Sequence, residues 1–153
     1  MERVDTNPDD FITSFDDAEQ RATMTRLDEV ICSALPGRSR TLWQGTMWGG
    51  TDQSIIGYGD IVQPRPKGDD VEWFLVGLAR QKDLYSLYVN AVEDGRYLGQ
   101  VREDRLRVPG VAKSRLKIGS ASIGLKTIDD IDLDALADLL ATAHASAPPD
   151  QRS

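Results

Sequence analysis

The stretch VEWFLVGLARQKDLYSLYV, Val71 to Val89, constrains the fold more than any other part of the chain. Successive residues of a strand point to opposite sides of a sheet. Here Val71, Trp73, Leu75 and Ala79 fall on one side, and Phe74, Val76 and Leu78 on the other. A strand that is apolar on both sides belongs in the middle of a sheet, covered on both faces or nearly so. The polar run ARQKD, Ala79 to Asp83, has the length of a hairpin loop, and Leu84 to Val92 returns with Tyr85, Leu87, Val89 and Ala91 on one side. The stretch predicts a central antiparallel hairpin.

The flanking text predicts what packs on it. From Ser14, Met24, Leu27, Ile31 and Ala34 recur at three and four residues, with Leu35 widening the stripe, which is the pattern of an amphipathic helix. Ser14 is the expected N-cap, Asp16, Asp17 and Glu19 suit the positive end of the helix dipole, and Pro36-Gly37 ends the helix. Thr41 to Met47 reads as a short strand, Trp48 to Asp52 as a turn, and Ser54 to Asp60 as a second strand with Gly57 and Gly59 on either side of Tyr58. VQPRPKGDD, Val62 to Asp70, reads as a loop. The polar segment from Glu93 to Gly110 has room for a short helix, and Ser114 to Ile118 alternates Leu116 and Ile118 against Arg115 and Lys117 as a half-exposed strand. Ile123 to Thr127 is a last short strand or an irregular link. The closing helix has Asp132 as N-cap and Leu133, Leu136, Leu139, Leu140 and Ala143 on one stripe. The order predicts an α+β fold, a two-layer sandwich with an antiparallel sheet covered on one face by the N- and C-terminal helices. The domain is expected over 14–145, after a partly ordered segment 1–13 and before a disordered tail 146–153.

The totals narrow the function. At 153 residues the chain suits one domain, burying roughly 70% of its unfolded surface. A formal net charge of −7 repels phosphate backbones and anionic lipid, so neither nucleic acid nor membrane is an expected partner. The start, MERVDTNPDD, is acidic where a secretory signal is basic and then apolar, and a cytoplasmic location is expected. Cys32 and His144 are the single cysteine and the single histidine, so intramolecular disulfides, thiolate metal sites and nucleophile–histidine pairs are not expected. Chemistry here has to use carboxylates, Lys, Arg, Tyr or Ser.

MWGG at Met47 to Gly50, IIGYG at Ile55 to Gly59, WFLVGLARQKDLYSLYV at Trp73 to Val89 and KSRLKI…TIDDIDLDALADLL at Lys113 to Leu140 resemble the YdhG-like domain family, also called domain of unknown function 1801. The resemblance implies a central antiparallel sheet with a helix, sheet, helix order similar to that of frataxin. It carries Trp48, Gly49, Tyr58, Lys113 and Arg115 as matched positions of functional weight. The chain departs from many relatives in having DIVQPRPKG where they are tyrosine-rich, and Ala112 where they have Gly before the Lys-Ser.

Each candidate site has a plainer alternative. GVAKS, Gly110 to Ser114, lacks the second glycine that a phosphate loop needs before its Lys and reads as a turn entering a strand. Arg102, Arg105, Arg107, Lys113, Arg115 and Lys117 form the one basic concentration, suited to an anionic ligand or to protecting an edge strand. The N-terminal acids, among them Asp16, Asp17, Glu19 and Asp28, suit a hard cation such as iron or, more plainly, the start and solvated face of a helix. Trp48 beside two glycines suits a pocket, Trp73 the core, His144 the negative end of the last helix, and Cys32 a small buried position. The reading that follows is a small, non-catalytic cytosolic binding module, monomer or homodimer, for a small anionic ligand or a protein partner. Its expected site is Trp48, Gly49, Tyr58, Lys113, Arg115 and Lys117, with no cofactor. The alternative is a frataxin-like iron-binding protein using Asp16, Asp17, Glu19 and Asp28.

Overall fold

The structure, a computed structural model, describes residues 1–46, 52–63 and 68–150. Strand β1 (Glu2–Val4) leads into helices α1 (Pro8–Thr13) and α2 (Ala18–Ala34), and then into strands β2 (Arg40–Thr46), β3 (Asp52–Gln63), β4 (Val71–Arg80) and β5 (Tyr85–Val89). A small hairpin of β6 (Val92–Glu93) and β7 (Arg96–Tyr97) and two single-turn helices, α3 (Leu98–Val101) and α4 (Glu103–Leu106), cross to β8 (Leu116–Ile118) and β9 (Ser122–Leu125). Helix α5 (Leu133–Ser146) closes the fold. The main sheet has seven strands in the order β1-β2-β3-β4-β5-β9-β8, and all its neighbours are antiparallel. This is the expected α+β architecture, with β4 near the centre. No helix among the described residues is long and apolar enough to cross a membrane.

Local chemistry accounts for most of the helix ends. Asp132 accepts the Ala135 N–H at 3.0 Å and caps α5 as expected. The first long helix begins later than expected: Asp17 accepts the Gln20 N–H and is the N-cap, whereas Ser14 closes α1, its N–H bonded to the Asp10 carbonyl. Asn7 caps α1 and Pro8 occupies its first position, where a missing N–H costs nothing, so the segment before residue 14 folds as a strand and a helix.

Register lays one apolar row across five strands, in which Leu42 faces Ile56, Ile56 faces Leu78, Leu78 faces Leu87, and Leu87 faces Ile123. All five are buried and share a core with Met24, Leu27 and Ile31 of α2 and Leu136, Leu139, Leu140 and Ala143 of α5. Each such side chain contributes about 1.5–3 kcal/mol relative to exposure. A second cluster occupies the other face. Trp43, Ile55, Phe74 and Ala79 are buried there with Met1, Trp73 and Tyr88 packed against them, and no helical residue joins them.

The alternation expected for β4 slips within this sheet. Leu75 and Val76, adjacent in sequence, both belong to the helix-side core, and Phe74 turns to the opposite cluster. Gly59, across from this point on β3, has φ +82°, a left-handed conformation that glycine adopts without strain, and there a Cβ would lie 3.2 Å from Leu75 Cβ. The local change of pleat lets Tyr58 face the helices while Asp60 pairs with Phe74.

Candidate functional site: a hollow on the helix-free face

Two rows of small residues shape the helix-free face. Register aligns Ala79 with Ser86, Ser86 with Gly124, and Gly124 with Lys117; the next row aligns Gly57, Gly77, Tyr88 and Ser122. At one end aromatic rings fill the space above the glycines. A Cβ on Gly57 would lie 2.6 Å from Trp43 Nε1, and one on Gly77 would lie 2.5 Å from Phe74 Cε1. Trp43 meets Trp73 edge to face at 5.4 Å, Phe74 stacks on Trp73 at 4.3 Å, and Arg3 covers Trp43 at 4.5 Å.

At the other end Leu84 lies over Gly124, where a Cβ would come within 3.1 Å of its Cδ1, and a hollow of about 300 Å³ remains. Gln81, Ser86, Tyr88, Lys117 and Ser122 supply its polar groups, and Leu84 and Ile118 its apolar ones. The hairpin places Gln81, whose N–H donates to the Leu84 carbonyl at 2.8 Å. Its side-chain amide donates to the Tyr88 hydroxyl at 2.7 Å and accepts from the Ser86 hydroxyl at 2.6 Å. Tyr88 therefore accepts from Gln81 and keeps its own proton for another acceptor. Burial pushes the Tyr88 phenol up in pKa against the opposing hydrogen bond from Gln81, so the hydroxyl is a neutral donor at physiological pH. Lys117 is exposed on β8, and its ammonium makes no ion pair among the described residues. The hollow thus combines a cation, a phenolic donor and an apolar wall, which suits an anionic or strongly polar small molecule. Ser86 gives its proton to an amide oxygen, which is not a base, so the arrangement does not activate a nucleophile.

Of the described residues predicted from sequence, Lys117 lines this hollow, and Tyr58, Lys113 and Arg115 do not join it. Trp48 and Gly49 lie outside the described residues. Tyr58 faces the helix layer, buried, and its hydroxyl donates to Asp28 Oδ1 at 2.6 Å; burial, and after it the Asp28 carboxylate, raises its pKa well above the usual phenol range. It cannot share a surface with Lys117, because the sheet lies between them. Arg115 donates from Nε to Asp130 Oδ1 at 2.8 Å. Burial alone would raise the Asp130 pKa, but hydrogen bonds from Arg115 and from the Thr127 N–H outweigh it and hold the carboxyl below its ordinary range. Lys113 sits exposed in a 3-10 turn ahead of β8, away from the hollow.

The acidic set disperses in the same way. Asp17 is spent on capping α2, Asp16 and Glu19 are exposed, and Asp28 turns inward to Arg40, whose Nε and Nη2 donate to it at 2.9 and 3.0 Å. Among the described residues no group of three or more His, Cys, Asp or Glu side chains converges as metal ligands. Cys32 is exposed rather than buried; partial burial and the neighbouring Asp28 carboxylate push its thiol up to about 11, which leaves it protonated and unreactive at neutral pH. His144 is not free at the end of α5, for its Nδ1 accepts a hydrogen bond from Arg38 Nε at 3.0 Å.

A wider depression of about 540 Å³ between α1 and α2 has its cations already engaged: Arg21 donates to the Phe15 and Asp16 carbonyls and Arg26 pairs with Glu29. Gln81, Ser86, Tyr88 and Ser122 were missed from sequence, although Ser86 and Tyr88 are the polar positions alternating with Tyr85, Leu87 and Val89 on β5. That alternation marks an open face, and only strand order shows that Lys117 shares it. Comparison with protein-family models, with curated proteins and with solved structures gives no match to this chain.

Proposed function

We propose that this chain is a small, non-catalytic cytosolic binding module that holds a small anionic ligand in the hollow between Tyr88, Ser122 and Lys117. The observation that carries the reading is the Lys117 ammonium, without an ion pair among the described residues and set in the same row as Gly124 and Ser86 at the hollow. The ligand's anionic group lies against Lys117, its acceptor takes the Tyr88 proton, and its apolar part rests on Leu84 and Ile118.

The test is an amide NMR titration with three probes: inorganic phosphate, benzoate and adenosine monophosphate. At least one probe at millimolar concentration is expected to shift the amides of Ser86, Tyr88, Ser122 and Gly124 saturably. Lys117→Ala is expected to abolish that response while leaving the thermal midpoint unchanged. If none of the three moves these amides, or if Lys117→Ala responds like the native chain, the reading is wrong.

A further inference from the structure

Where the chain runs on past α5 to meet β3, a carboxylate lies in a cradle of backbone donors. Asp150, past the end of α5, presents Oδ2 to the Ser39 N–H at 2.7 Å and Oδ1 to the Asp60 N–H at 3.0 Å. The Arg38 Nη1 lies behind them, 3.4 Å from Oδ1. Each carboxylate oxygen thus takes one N–H, one from Asp60 within β3 and the other from Ser39, the residue just ahead of β2. Gly59 makes this possible: its positive φ turns the Asp60 N–H outward, and a Cβ there would come within 3.1 Å of Arg38 Cδ and 3.6 Å of Asp150 Oδ1.

The chain reaches this cradle because Arg38 holds its last turn. Arg38 is almost fully buried, and its guanidinium donates to the carbonyls of His144, Ala147 and Pro148 as well as to the His144 ring. The tail expected to fray is therefore tied down as far as Asp150. The Asp60 carboxylate beside the cradle is not in competition for the same donors, since it accepts from the Ser39 hydroxyl at 2.7 Å and from Arg3 at 3.2 Å. Pairs of backbone N–H groups backed by an arginine are how proteins bind free carboxylates as well as their own.

We propose that the Ser39 and Asp60 amides with Arg38 form a carboxylate-binding site, of which Asp150 is the resident occupant, a tethered plug that an incoming carboxylate displaces. The site is separate from the Lys117 hollow and does not depend on it. The incoming group is either a small free carboxylate or a carboxylate carried on a polypeptide, such as the tail of a second copy of this chain.

Full-length Asp150→Ala separates these cases. Acetate and, separately, the peptide Ala-Pro-Pro-Asp are titrated while the Ser39 and Asp60 amides are followed by NMR. Saturable shifts of both amides are expected in Asp150→Ala, with acetate alone if the site takes free carboxylates and with the peptide more tightly if it takes polypeptide tails. The native chain is expected to bind about tenfold more weakly, as a tethered competitor at millimolar effective concentration imposes. Asp150→Asn, which keeps the shape and loses the charge, is expected to fall between the two and serves if the alanine variant does not fold. The proposal is overturned if neither probe shifts the two amides in either variant, or if native and variant proteins bind equally.

Discussion

The two faces of the sheet are built from the same strands and hold their contents by different means. On the helix side, large aliphatic side chains meet α2 and α5 and every position in the row from Leu42 to Ile123 is filled. On the other side the sheet is thinned to Gly57, Gly77, Ala79, Ser86 and Gly124, and three aromatic rings do at one end what two helices do on the opposite face. Stability concentrates where volume is filled, and room for a ligand is left where it is not. The hollow at Lys117 lies beyond the Trp43, Trp73 and Phe74 rings, over Ser86 and Gly124.

Substitutions can break this comparison in order of size. Leu87→Ala empties a fully buried position in the helix-side row and is expected to cost about 2–5 kcal/mol, read from the urea midpoint. Gly77→Ala on the other face adds a methyl 2.5 Å from Phe74 Cε1 and is expected to cost about 1–3 kcal/mol. Because Phe74 stacks on Trp73, the near-ultraviolet circular dichroism is expected to change with it, whereas Leu87→Ala leaves that signal largely in place. An unaltered spectrum in Gly77→Ala would refute the claim that rings pack down onto glycine.

Smaller effects sharpen it. Tyr58→Phe removes the buried donor to Asp28, which keeps Arg40, and is expected to cost about 1 kcal/mol without affecting any response in the hollow. A ligand response lost in Tyr58→Phe would mean that the faces are coupled. Acid acts on the rims of the sheet. Asp130 and Asp150 are both held below the ordinary carboxylate pKa, Asp150 because the Asp60 and Ser39 N–H groups outweigh the cost of its burial. Their contribution is complete above the unfolded value of about 3.9 and is lost as pH falls below it through the lower folded values. Thermal midpoints should therefore fall less on acidification below that point in a doubly substituted Asp130→Asn, Asp150→Asn chain. Lys117→Ala, the mildest change, is expected to alter stability by no more than about 0.5 kcal/mol.

Much of the scaffold was legible in the chain because helix and strand periods are local. Leu136, Leu139 and Leu140 three and four apart, Asp132 ahead of them, and the alternation of Tyr85, Leu87 and Val89 each report a preference that needs no distant partner. Less of the candidate site was legible. Lys117 was selected with Lys113 and Arg115 as a basic run, but Arg115 belongs to Asp130, and the partners that matter to Lys117 come from β5 and the loop before it. Tyr58 carries the same glycine flanks whichever way it points, and its neighbours alone do not tell the inner face from the outer.

By itself the amino-acid order determined the two long helices, the central hairpin and the antiparallel class, since each depends on spacing and capping within a few residues. Tertiary structure alone decided which face the helices cover, where the pleat slips at Gly59, and that Arg38 and Asp150 meet more than a hundred positions apart. Those outcomes depend on long-range pairing, in which a charge or a ring takes its role from what the rest of the chain brings beside it.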